Sequence, residues 1–282
     1  MGYPGRYLRQ SPGGNSGQKG KLVLTVLLLL IGVGILLYPT VSNFINRRHG
    51  SYAIQVLQQH LENADIAQQR HLAEEYNAGL LAAQEGLEET YWTTLDIADG
   101  MIGSLQIPKI NADLPIYHGV EEETLSKGVG HLPESAFPIG GEGNHAVLTG
   151  HTGLPSAELF TDLAELAEGD CFYISVLGDT LAYEVDQIKV VLPSEGQDLA
   201  AVPGKDYCTL VTCTPYGVNS HRLLVRGHRV EMQNGNGEQE IQEKTQNISV
   251  DSVKKLIAVA MLLPLILSAV LFPLIRYRKK KR

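Results

Sequence analysis

Two apolar runs free of charged residues frame this chain and fix where a globular domain can lie. Residues 22–38 make a run of 17 and residues 256–275 a run of 20, both within the range that can cross a hydrocarbon core of ~30 Å as helix. Lys19 and Lys21 precede the first run. Arg276, Arg278, Lys279, Lys280, Lys281 and Arg282 follow the second. That excess of basic residues at both ends places the two termini in the cytoplasm and the intervening chain outside; Arg47 and Arg48 run against this bias. No small-residue cleavage site follows the first run, where the chain reads Tyr38-Pro39-Thr40-Val41-Ser42-Asn43, so a retained span is expected rather than a removed leader. Pro264 and Pro273 interrupt the second run, which spanning helices tolerate better than soluble ones do.

Charge is divided unevenly between these regions. The stretch between residues 48 and 253 holds 9 of the 23 basic residues and all 31 acidic ones, a formal net charge of −22. Such a surface offers nothing to nucleic acid and is repelled by anionic surfaces, whereas a lysine-bearing partner is attracted.

Texture along the chain suggests the organisation. Residues 1–21 read as a cytoplasmic tail and 22–41 as a first transmembrane helix. Residues 49–100 form a helical region, with Ile54, Leu57, Leu61 and Ala64, then Leu72, Tyr76 and Leu80, at helical spacing and Gly79 and Gly86 as punctuation. From residue 101 to 231 short β-rich runs alternate with Gly, Pro and Asp. Strands are expected at 104–107, 114–117, 145–149, 171–177, 181–192, 207–213 and 223–230, with a hairpin turn at Gly178-Asp179 and a short helix at 157–166. Many short strands with few helices point to a mainly β domain, a barrel or a sandwich. Residues 232–252 are a polar linker, 256–275 a second transmembrane helix and 276–282 a basic cytoplasmic tail.

Three cysteines are too few for a disulfide scaffold. Cys208 and Cys213 lie on one expected strand about 16 Å apart, beyond disulfide reach. Cys171 with Cys208 is left open as a pair, the ordinary alternative being two core thiols. Cys213 stands apart because it ends a β-rich run, Thr209 to Thr212, just before the strand breakers Pro215 and Gly217. A thiol attacks as thiolate and needs a cation nearby. Arg222 opens the next strand across a short loop, while Arg226 lies about 13 Å further along, so Arg222 is the candidate partner and Arg226 a salt-bridging wall residue. Among nine histidines, His118 and His131 fall in apparent loops. His151 and His221 both qualify on position.

These residues resemble the sortase family. The similarity runs from about Ile107 to Val230 through Ile107-Pro-Lys-Ile, Leu148-Thr-Gly-His-Thr-Gly-Leu-Pro155, Leu210-Val-Thr-Cys-Thr-Pro215 and His221-Arg-Leu-Leu-Val-Arg-Gly227. The wording Thr-Cys-Thr-Pro-Tyr-Gly resembles the class C, pilin-polymerising branch. The resemblance implies a closed eight-stranded β-barrel and a thiol transpeptidase needing no cofactor, and it selects His151 over His221. Cys213 would attack the Thr–Gly carbonyl of an LPXTG-like sorting signal. His151 would serve as acid and base, Arg222 as the oxyanion clamp, and a pilin lysine as the acceptor. A housekeeping sortase, anchoring surface proteins or pili to a cell-wall precursor, is the alternative.

Class C enzymes commonly carry a lid anchored by an Asp-Pro-aromatic motif, and this chain has no Asp-Pro dipeptide. In the corresponding stretch Tyr91, Trp92 and Asp96 are the candidates for a lid or plug, against a plain reading as aromatics packed on the barrel. No metal-ligand spacing stands out. The Glu121-Glu122-Glu123 run reads as a solvated turn, with calcium as the alternative.

Overall fold

The computed structural model describes residues 16–232. The second apolar run, the basic tail that follows it, all but the first residue of the polar linker, and residues 1–15 lie outside the described residues. Helix α1 (Ser16–Leu61) is continuous, so the first apolar run and the start of the expected helical region are one element that passes through Pro39. Nothing between residues 40 and 49 breaks a helix, and Ser51 Oγ returns a hydrogen bond of 3.0 Å to the Arg47 carbonyl. The apolar part of α1 is long and apolar enough to cross a membrane, with Leu27, Leu28, Ile31, Ile35 and Leu36 all exposed.

Helix α2 (Ile66–Leu81) starts on Asp65, whose carboxylate accepts the Gln68 N–H at 3.0 Å, a side-chain cap for an otherwise orphaned donor. Gly79 lies inside α2 rather than ending it, and the break comes at residues 82–86, before helix α3 (Leu87–Thr93). These helices close one side of the barrel. Asn77 accepts from the Phe137 N–H at 2.7 Å and donates to the Phe137 carbonyl at 3.2 Å, while Ala73, Tyr76 and Tyr91 join the main core.

Eight strands follow: β1 (Met101–Ile107), β2 (Ala112–His118), β3 (Val129–His131), β4 (His145–Thr149), β5 (Cys171–Val176), β6 (Asp179–Val191), β7 (Tyr207–Thr214) and β8 (His221–Val230). They close into a barrel in the order β1-β2-β3-β4-β7-β8-β6-β5, which is the mainly β architecture expected. The β2–β3 and β4–β7 pairs are parallel and the others antiparallel.

Four sequence expectations need correction. Strand β3 was not anticipated, because three residues containing a glycine carry no readable period. His118 and His131 are not in loops: they end β2 and β3 as register partners and are buried. Residues 157–166 hold only a 3-10 turn, Leu163–Glu165. There the Glu158 and Phe160 N–H groups bond Asn43 Oδ1 and the His151 carbonyl instead of a helical ladder. The β5–β6 turn sits one residue early, at Leu177-Gly178, where φ is 51° and 84°, the double left-handed geometry of a tight hairpin.

Alternation along the strands sorts the side chains. Cys208, Leu210, Leu223 and Val225 point into the main core, together with Ala146 and Leu148. Val147, Val211, Leu224 and Val191 form a second cluster on the outer face, against Leu132 and Leu199. Leu199 belongs to the β6–β7 connection, so the middle of β4, β7 and β8 is covered on both faces. That double cover accounts for the nearly unbroken burial of β4 and β7. None of Cys171, Cys208 and Cys213 is in a disulfide, so the open Cys171–Cys208 pairing does not form.

Candidate active site

Strand register assembles the site. In the antiparallel β7–β8 ladder Cys213 pairs with Arg222 and Thr214 with His221. Directly opposed residues carry their Cβ atoms about 5 Å apart on the same face, so sulfur and guanidinium share the outer rim. Parallel β4–β7 pairing runs from His145↔Tyr207 to Thr149↔Val211, and the Gly150 N–H extends it by donating to the Val211 carbonyl at 3.0 Å. Two residues beyond Thr149 is His151, and two beyond Val211 is Cys213. The same offset therefore delivers His151 to the Cys213 level of the sheet. Thr212 Oγ1 donates to the Gly150 carbonyl at 2.7 Å and ties the two strand ends together.

The loops that leave these strand ends touch one another. Phe160 packs so closely on Gly150 that a Cβ there would come within 2.7 Å of its ring, and a Cβ on Gly153 would come within 2.9 Å of Tyr216. Gly153 also has φ of +75°, a region other residues rarely enter. Tyr216 belongs to the loop after Cys213 and Gly153 to the loop after His151, so their contact sets how the two flanking walls approach.

Cys213 is partly exposed. His151 is 25% exposed, and its Nε2 lies 3.1 Å from Glu122 Oε2. The Arg222 guanidinium bonds only carbonyls, those of His221 at 3.1 Å and Asn219 at 3.4 Å. Among the described residues no carboxylate pairs with it. Arg226 is the wall residue anticipated: a two-pronged pair with Asp186 at 2.9 and 3.0 Å, stacked 4.2 Å above the Tyr207 ring. His221 bonds Ser220 Oγ at 2.8 Å and opposes Thr214, so its side chain has the opposite parity to that of Cys213.

One other thiol, Cys208, and two imidazoles, His131 and His145, are buried away from solvent. Burial raises the Cys208 thiol well above its ordinary value. Burial lowers His131 to about 4, although its bond to the Ala136 carbonyl opposes this. His145 is also lowered by burial, and its ring bonds Thr209 Oγ1 at 2.7 Å and the Ala200 carbonyl at 3.0 Å.

The lid candidates separate. Tyr91 is a core residue and not a plug: it is 1% exposed, stacks on Phe137 and bonds the His131 carbonyl at 2.9 Å. The Gly119 N–H donates to its hydroxyl at 2.8 Å, and burial pushes that phenol far above the usual range. Asp96 accepts the Gly100 N–H at 2.9 Å, a turn bond. Trp92 is half-exposed, resting on Gly119 and His118, and Asp96 is exposed as well.

Glu122 is the site residue that sequence reasoning missed. In sequence it is one of three consecutive glutamates, and only its contact with His151 distinguishes it. Among the described residues no group of three or more His, Cys, Asp or Glu side chains could hold a metal ion.

A partly exposed thiol facing an arginine with no carboxylate partner among the described residues, with an imidazole brought to the same rim of a closed eight-stranded barrel, makes a candidate cysteine acyltransferase-type site. The sortase domain model matches residues 105–230. Sortase C1 from Streptococcus agalactiae is 45% identical, with a TM-score of 0.62 over 64% of this chain and 100% of that one. A pilus-related sortase C of Group B Streptococcus is 43% identical, with a TM-score of 0.58 over 63% and 97% of the two chains. Sortase D of Bacillus subtilis (strain 168) is 34% identical over 131 residues, 45% of this chain and 63% of that protein. This chain therefore spans less than two thirds of that curated relative. The chain belongs to the sortase family of cysteine transpeptidases, and its similarity to solved structures lies with class C sortases.

Proposed function

We propose that this protein is a membrane-anchored transpeptidase that cleaves an LPXTG-like sorting signal between Thr and Gly and joins the new carboxyl end to a pilin lysine. The observation that carries this reading is the Cys213↔Arg222 register pair at the strand end reached by His151. The Cys213 thiolate attacks the threonine carbonyl carbon. The negative charge that develops on its oxygen meets the Arg222 guanidinium, a planar donor fork with no carboxylate partner among the described residues. Protonated His151 gives its proton to the departing glycine nitrogen, the C–N bond breaks, and a thioester remains on Cys213. An incoming lysine amine then loses a proton to His151 and attacks the thioester, releasing the sulfur. Splitting amide exchange into two acyl transfers is what a covalent nucleophile contributes.

A lysine acceptor is supported by the net charge of −22 between residues 48 and 253 and by the likeness to a pilus-related sortase. Helix α1 supports an anchor at the membrane, and the basic residues flanking the two apolar runs are the ground for proposing the second run as a second span, the barrel outside and both termini cytoplasmic. The proposed division of the chain follows: tail 1–21, span 22–41, helical region 49–100, barrel 101–231, linker 232–252, span 256–275 and tail 276–282. Trp92 is the remaining candidate for a side chain that shields the site.

Incubating the full chain with a sorting-signal peptide and either a pilin domain or a cell-wall precursor amine tests the proposal. Mass spectrometry should find a new isopeptide bond on a pilin lysine and none with Cys213→Ala. Transfer only to the cell-wall amine would select the housekeeping function, and transfer that survives Cys213→Ala would reject the site.

A further inference from the structure

His151 is held at two points. Its backbone carbonyl accepts the Phe160 N–H at 3.0 Å, and its ring nitrogen Nε2 lies 3.1 Å from Glu122 Oε2. An ionised carboxylate only accepts hydrogen bonds. The contact therefore requires a proton on Nε2 and leaves Nδ1 as the ring atom that gains and loses one.

Glu122 is held in place to do this. It opens the four-residue helix α4 (Glu122–Leu125) between β2 and β3. That turn is pinned by Thr124 Oγ1, which donates to the His118 carbonyl at 3.2 Å, and by the buried side chain of Leu125. Its acidic neighbours are engaged elsewhere. Glu123 pairs with Lys127 at 2.7 Å, and the Glu121 carboxylate lies over Gly119. Of the three consecutive glutamates, Glu122 alone reaches the imidazole.

We propose that Glu122 is a positioning residue that fixes the ring of His151 and its Nε2–H tautomer, so that Nδ1 is the atom that exchanges protons with the leaving and incoming amines. This rests on the roles proposed above for His151 and Cys213. The two can fail separately, because the tautomer is readable without turnover.

Nitrogen-15 NMR on full-length Cys213→Ala protein at about pH 8.5, above the ordinary imidazole range, should show His151 as the Nε2–H tautomer. The signal is assigned by its loss in His151→Gln. Glu122→Ala should mix the tautomers. In the active chain Glu122→Ala should lower kcat about two- to fivefold with KM unchanged, the scale of one exposed charged contact. Glu122→Gln should restore most of kcat, because its amide oxygen accepts the same N–H. Glu122 is 78% exposed, so both variants should keep the wild-type melting temperature. An Nδ1–H tautomer with Glu122 present, an unchanged kcat in Glu122→Ala, or equal losses in the Ala and Gln variants would overturn the assignment.

Discussion

Cys213 and Arg222 oppose each other one rung from the end of the β7–β8 ladder, with only Thr214↔His221 beyond them. Arg226, four residues further along the same strand and on the same face, is committed to Asp186 and the Tyr207 ring. Arg222 bonds backbone carbonyls through one nitrogen and has no carboxylate partner among the described residues, whereas Arg226 is part of the wall.

That difference predicts opposite outcomes for the same substitution. Arg222→Lys should lower kcat by about a hundred- to a thousandfold, the scale of losing a preorganised oxyanion donor, with the melting temperature unchanged. Arg226→Lys should leave kcat near wild type and cost about 1 kcal/mol of stability through the lost two-pronged geometry. Single-turnover thioester formation and thermal denaturation, run side by side, check the pair. An Arg226→Lys variant with the larger kinetic loss would reverse the assignment.

Stability should fall as the pH drops from about 6.5, the ordinary histidine value, towards 4. Burial lowers the folded-state value of His131 to about 4. Across that window the unfolded chain therefore binds a proton that the folded protein does not. Linkage puts the loss on the order of 3 kcal/mol, complete below the folded value. His145, also lowered by burial, acts with the same sign. Asp113 and Asp206, whose carboxyls burial raises, act oppositely at the acidic end, because there the folded state binds the extra protons. Melting temperatures from pH 7 to pH 4 should show the decline, and His131→Gln should flatten it. An equal slope in the variant would assign the acid sensitivity to other groups.

Gly153→Ala should damage the rim twice. Its φ of +75° is strained for any side chain, by about 1–2 kcal/mol, and the new methyl would push Tyr216. A chain of this size should lose a few degrees of melting temperature. A further fall in kcat/KM is expected, because Tyr216 belongs to the loop that leaves Cys213. A variant with wild-type kinetics would show that the two loops need not touch.

Helix α1 is fastened to the loop that carries His151. Ser42 Oγ donates to the Ser156 carbonyl at 3.2 Å, Asn43 Oδ1 accepts the Glu158 N–H at 3.1 Å, and Arg47 pairs with Glu158. Arg47→Glu in the full chain should speed hydrogen exchange across residues 151–162 while changing global stability by under about 1 kcal/mol. Adding Glu158→Arg should restore protection by re-forming the pair in reverse. Unchanged exchange in Arg47→Glu would show that the pair does not hold the loop.

Much of this candidate site was legible in order along the chain. Cys213 showed itself by ending a β-rich run before Pro215, and Arg222 by opening the next strand. Arg226 was placed as a wall residue by distance along the strand alone. His151 could not be separated from His221 by position, and family resemblance chose it. The choice has a physical counterpart in the parallel β4–β7 register, a long-range pairing that no local pattern encodes. Tyr91 shows the reverse: its place beside the expected lid motif suggested a plug, while its hydroxyl and ring are spent on His131, Gly119 and Phe137.

By itself the sequence determined the local terms of this protein. Apolar period and length set the long helix and most of the strands, turn residues set where strands stop, and residue chemistry nominated the thiol and the guanidinium. Only the tertiary structure decided which strands are neighbours, that three-residue β3 is needed to close the barrel, and that Glu122 meets His151 across 29 residues. Side-chain period is a property of adjacent residues, whereas register between distant strands is settled by the packing of the whole sheet on its core.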